Sequence, residues 1–156
     1  MKNICLYATL LGLWTTLGFA QTTGELVNDG KNTENVTTQS MGYDRKSYSP
    51  LKQVNKSNVK RLVPIWNASM MNDQGELAAP TIYNGVMYAF NGRWTFDIDV
   101  ATGQQIWRTS VQLEPGIRRI DFHRVAATIY NGKLFGVATD NHVLPPDMKT
   151  RRGLWN

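Results

Sequence analysis

Two stretches of the chain carry the same pattern of β-forming residues around the same turn. Thr81-Ile82-Tyr83 and Val86-Met87-Tyr88 flank Asn84-Gly85, and Thr128-Ile129-Tyr130 and Lys133-Leu134-Phe135 flank Asn131-Gly132. An Asn-Gly pair between β-formers is the strongest short hairpin signal, because a type I′ turn needs two residues tolerant of positive φ. Each stretch is therefore predicted to be a tight antiparallel hairpin. Neither shows an apolar periodicity of 3.6 sustained over ten residues, so no long helix is expected there.

The similarity extends beyond the hairpins. Thr81–Gly85 matches Thr128–Gly132 identically at an offset of 47, and Asp99-x-x-Thr102-Gly103-x-x-x-Trp107 matches Asp147-x-x-Thr150-Arg151-x-x-x-Trp155 at an offset of 48. Periods in the forties belong either to propeller blades or to solenoids of paired helices, and the hairpin signals favour blades. Each unit is predicted to hold four short strands, with the Asp-x-x-Thr-Gly turn joining the third to the fourth. The expected fold class is all-β, an incomplete β-propeller of about two four-stranded blades. Its repeats span about 77–110 and 124–156 within residues 67–156, and an irregular amino-terminal segment, 21–66, precedes them.

Residues 1–20 form a different kind of segment. Lys2 supplies a positive charge, Ile4–Phe19 is apolar with a few threonines, and Gly18-Phe19-Ala20 places small residues two positions apart before Gln21. These are the marks of a secretory signal, with cleavage expected after Ala20. The 17 residues from Ile4 to Ala20 are marginal for a bilayer span, and no other segment approaches that length, so no membrane span is expected after cleavage. Cys5, the single cysteine, would leave with the signal, so no disulfide is available to the mature chain. The expected location is periplasmic or secreted.

Composition changes this picture little. Seventeen Lys and Arg stand against 12 Asp and Glu, and 42% of residues are hydrophobic. The basic residues fall in scattered pairs, Lys60-Arg61, Arg118-Arg119 and Arg151-Arg152, rather than along one face, which argues against a nucleic-acid partner. His123 and His142, the two histidines, do not stand at metal-ligand spacing, and no phosphate-binding glycine loop or nucleophile elbow is present.

The Asp99-x-x-Thr102-Gly103-x-x-x-Trp107 pattern resembles the tryptophan-docking motif of quinoproteins, in which the Trp of one blade packs between blades and the turn residues fasten it. Asn28–Thr33, Met41–Asp44, Tyr48–Lys52, Asn55–Leu62, Pro64-Ile65-Trp66 and Asn84–Tyr88 resemble, in the same order, the amino-terminal part of PQQ-dependent alcohol and methanol dehydrogenases. The resemblance runs from Asn28 to Trp155. It implies an eight-bladed propeller with the quinone and a calcium ion on its axis, a small alcohol as substrate and an electron acceptor such as a cytochrome. Eight blades of this period need about 380 residues, whereas two repeats are present here. The chain is therefore expected to be a fragment of such a periplasmic enzyme, inactive alone. A small exported binding or assembly module without catalysis is the alternative, and a short enzyme with chemistry of its own is disfavoured because no catalytic constellation is present.

Site residues follow from the same resemblance. It implies a quinone-contacting Glu shortly before the Pro of the first hairpin, and Glu76 stands four residues before Pro80 where the family spacing is three. Arg124, ahead of the second hairpin, matches the Arg that pairs with a quinone carboxylate, for which a guanidinium fork is well suited. Thr139 matches a quinone-contacting threonine. The family's adjacent cysteines, however, fall on Arg118 and Arg119, and its calcium ligands and catalytic Asp lie in later blades. Tight binding of PQQ or calcium is accordingly not expected. In the second repeat Arg151 replaces the turn glycine and Pro145-Pro146 fall where the third strand should carry ladder hydrogen bonds. The first repeat departs only at Asp97, where a small residue is expected.

Overall fold

A computed structural model describes residues 22–71, 78–91, 94–110, 127–137 and 143–144. Residues 1–20, expected from the sequence to be a secretory signal, lie outside the described residues. Strands β1 (Thr81–Tyr83), β2 (Val86–Phe90), β3 (Trp94–Asp99) and β4 (Gln105–Ser110) form one antiparallel sheet in chain order. Strands β5 (Thr128–Tyr130), β6 (Lys133–Val137) and β7 (Val143–Leu144) form a second. The first is the four-stranded unit expected from the sequence. The second has the same order over its three described strands; Pro145-Pro146 and the fourth expected strand fall outside the described residues.

Both predicted hairpins form. Tyr83 pairs with Val86 and Tyr130 with Lys133, leaving two-residue loops in which Asn84 and Gly85 have φ of 49° and 75°, and Asn131 and Gly132 of 47° and 70°. All four values are left-handed, as a type I′ turn demands. The edge strand β4 carries a bulge: Asp97 faces Trp107 and Ile98 faces Gln105, so Ile106 is the extra residue.

Because side chains alternate across a strand, the first sheet has two buried faces. Tyr83, Tyr88 and Phe90 pack with Ala127, Ile129 and Leu134 of the second repeat. On the opposite face Ala89, Phe96 and Ile98 pack with Met87, Trp94, Trp66, Ala68 and Met70. The first blade is thus a central layer, with the second repeat on one side and the stretch 66–70 on the other. Asp97, paired opposite Tyr88, is nevertheless buried.

The amino-terminal segment is irregular, as expected, with one short helix and two 3-10 turns. Helix α1 (Thr23–Val27) begins in a capping box: Thr22 Oγ1 accepts from the Glu25 amide, and Glu25 Oε2 accepts from the Thr22 amide at 2.7 Å. Trp66 sits in an extended stretch that is not part of a sheet among the described residues, held by side-chain packing rather than by a ladder. Every second residue from Trp66 to Met70 faces the blade, whereas Ile65 is 81% exposed.

Candidate functional site

The described residues assemble two polar features around the first blade, and the first is the turn between β3 and β4. Asp99 Oδ1 accepts from the Thr102 amide and from Thr102 Oγ1, both at 2.8 Å, while the Gly103 amide donates to the Asp99 carbonyl at 2.8 Å. These bonds to the charged form hold the Asp99 carboxyl below its ordinary value, the Thr102 hydroxyl contributing most and its amide next. The Asp-x-x-Thr-Gly pattern is thus a self-bonded turn that seats Gly103 in the left-handed region, at φ 72°.

Upon that turn lies Trp66. Its indole N–H donates to the Val100 carbonyl at 2.8 Å. A Cβ on Gly103 would stand 2.6 Å from the indole ring, so only glycine permits the approach. The tryptophan fastened by this turn is therefore Trp66, which sequence reasoning missed, while Trp107 is half-buried on β4. A signal was present: Ile65-Trp66, Ile106-Trp107 and Leu154-Trp155 are three copies of one aliphatic-Trp pair. Trp155 lies outside the described residues.

The second feature is the seam between the repeats. Thr81 Oγ1 donates to the Ala127 carbonyl at 2.7 Å, directly beside the shared apolar cluster. Tyr83, at that cluster, has its phenol pushed above the usual tyrosine range by burial first and then by the Glu25 charge, against a lowering by Asn84. Arg108, on β4, lies over the Trp94 ring at 5.0 Å and donates to Met71 Sδ at 3.0 Å.

Glu76, Arg124 and Thr139, the expected quinone-contacting residues, all lie outside the described residues, as do Arg118, Arg119 and Arg151 and both histidines. What is described is the scaffold from which they depart: Glu76 precedes β1, Arg124 precedes β5 and Thr139 follows β6. Among the described residues, no group of three or more His, Cys, Asp or Glu could hold a metal ion, and no helix is long and apolar enough to cross a membrane.

Residues 37–149 match the β-propeller domain of glucose, ethanol and alcohol dehydrogenases that use PQQ. The chain is 33% identical over 135 residues to a quinone-dependent 1-butanol dehydrogenase of Thauera butanivorans, an alignment that takes in 84% of this chain and 22% of that enzyme. Among solved structures, a quinohemoprotein alcohol dehydrogenase of Pseudomonas putida HK5 superposes with a TM-score of 0.78 at 26% identity, over 86% of this chain and 20% of that one. The quinohemoprotein alcohol dehydrogenase of Comamonas testosteroni gives 0.73 at 25% identity, over 86% and 21%. The chain thus spans about a fifth of the length of the relatives it matches.

Proposed function

Since this chain belongs to the β-propeller family of PQQ-dependent glucose, ethanol and alcohol dehydrogenases, we propose that its 156 residues are the amino-terminal piece of an exported enzyme of that kind, inactive alone. In the whole enzyme a small alcohol would be oxidised at the quinone and the electrons handed to an acceptor such as a cytochrome. The observation that carries this reading is the pairing of a true first blade with one further repeat, in a chain that matches about a fifth of each relative. Export to the periplasm rests on the Met1–Ala20 leader pattern, and amino-terminal sequencing of exported material should start at Gln21.

The donor set bears on the cofactor directly. When bound, PQQ would supply the two-electron acceptor and calcium the polarisation of its carbonyl. Of the residues expected to touch the quinone this chain contributes a Glu, an Arg and a Thr, and it places two cations where the family has adjacent cysteines. That set fits the cofactor poorly. Arg124, with Arg118 and Arg119, would attract the quinone's carboxylates, but a solvent-exposed ion pair is worth about 0–1 kcal/mol. Micromolar binding needs about 8 kcal/mol.

The test is titration of residues 21–156 with PQQ and calcium at low and at physiological salt, followed by dye reduction with methanol and ethanol. Weak binding that fades as salt rises, with no turnover above free cofactor, is the expected result. Salt-insensitive micromolar binding, or turnover, would mean that two repeats suffice.

A further inference from the structure

Residues 29–42 touch both repeats at once. At their root is Asp29, which is fully buried and whose two carboxylate oxygens are both engaged. Oδ1 accepts from the Thr37 amide and the Thr37 hydroxyl, each at 2.8 Å. Oδ2 accepts from the Thr38 amide at 3.0 Å and the Thr38 hydroxyl at 2.6 Å. A carboxylate accepts only and has about four lone-pair sites, so it suits four converging donors. The fold-back is closed on its far side as well. Thr38 Oγ1 accepts from the Gly42 amide at 2.8 Å, and Gly30 lies so close to the Met41 carbonyl that a Cβ would stand 2.8 Å from its oxygen.

The chain turned back by Asp29 meets the first strand of each repeat. Val36 and Ile82 of β1 exchange two backbone hydrogen bonds, each of 2.8 Å. Asn35 Oδ1 accepts from the Asn84 amide at 2.9 Å, in the first hairpin turn. One residue on, the Thr37 carbonyl accepts a longer bond, 3.4 Å, from the Ile129 amide of β5. Ile82 and Ile129 hold the same position in the two identical pentapeptides. Consecutive residues, Val36 and Thr37, thus bond to equivalent residues of successive repeats, and both lie within one residue of the Asp29 bonds.

We propose that residues 29–42 form a clamp between the two repeats and that Asp29 is its positioning residue, setting the Val36-Thr37 backbone where it registers β1 against β5. The strands so held begin five and four residues after Glu76 and Arg124 in the sequence. The clamp stands independently of whether this chain holds the quinone. On this inference the amino-terminal segment is a structural part of the propeller rather than a connection leading to it.

Asp29→Asn separates this role from general stability. The amide can keep one oxygen for Thr37 but turns a donor toward the Thr38 amide, leaving a buried donor unsatisfied. Thr37→Val is the milder variant, since it deletes one hydroxyl bond and keeps every backbone bond of the clamp. Site-resolved hydrogen exchange of the full chain reads both. In Asp29→Asn the amides of Val36, Ile82 and Ile129 should exchange about tenfold faster or more, while those within β2 and β3 keep their wild-type rates. In Thr37→Val the same three amides should accelerate less. If Asp29→Asn does not fold, the pattern in Thr37→Val decides. Acceleration spread evenly over β2, β3 and the clamp amides, or no change at Ile82 and Ile129, would overturn the proposal.

Discussion

Thr81–Gly85 and Thr128–Gly132 are the same five residues, in the same hairpin and the same register, yet they live in different surroundings. Tyr83 is 8% exposed and Tyr130 is 42% exposed. Ile129 is fully buried, whereas Ile82 is only half-buried. Tyr83 has the second repeat packed on it, through Ala127, Ile129 and Leu134, and Ile129 is part of what covers it. Local sequence therefore decides the hairpin, while the neighbouring repeat decides which of its side chains leave water. A blade is half of a packing arrangement, which is why repeat units are stabilised by stacking rather than singly.

Truncating the same side chain in each copy should have very different consequences. Tyr83→Ala removes a buried ring from the seam and should lower stability by about 3–5 kcal/mol, the usual range for a large buried aromatic. Tyr130→Ala removes an exposed ring and should stay within about 0.5 kcal/mol of wild type. Denaturant unfolding of the two variants checks this, and equal losses would mean that the two hairpins are not differently covered.

A smaller effect concerns the far face of the first blade. Gly103→Ala puts a Cβ against the Trp66 indole and places alanine at φ 72°, so it should cost about 1–3 kcal/mol. Trp66→Phe keeps most of the packing but drops the hydrogen bond to Val100, for a loss of about 1 kcal/mol. Combining the two should cost clearly less than their sum, because both act on one contact. Additive losses would show that Gly103 is glycine for its own backbone alone.

The hairpins, the four-strand order of the first blade and the Asp99–Gly103 turn were legible because each is written in adjacent residues: Asn-Gly for the left-handed pair, Asp-x-x-Thr for the self-bonded turn. Trp66 and Asp29 were not legible for the opposite reason. Trp66 reaches the Val100 carbonyl 34 residues onward, and Val36 reaches Ile82, so neither contact leaves a local pattern. A buried Asp with four donors also looks, in sequence, like any Asp in a polar stretch; only its distance from water distinguishes it. Glu76, Arg124 and Thr139 came from family resemblance and lie outside the described residues.

A still weaker effect is a pH dependence of the turn between β3 and β4. Asp99 has its carboxyl held below the ordinary 3.8, first by the Thr102 hydroxyl and then by the Thr102 amide. A carboxyl whose folded value is depressed contributes stability that is fully present above its unfolded value and is lost as pH falls through the folded one. The turn should therefore loosen only below about pH 4, and modestly, because the carboxylate is solvent-exposed and its bonds are local. Exchange at the Thr102 and Gly103 amides, followed between pH 5 and pH 3 and corrected for the intrinsic pH dependence of exchange, should show protection falling toward acid. Asp99→Asn should show low protection throughout and no acid limb of its own. Thr102→Val keeps the amide bond but removes the hydroxyl, so its acid limb should move upward toward the ordinary carboxylate value. An unmoved limb in Thr102→Val would mean that the backbone amide alone sets the depression.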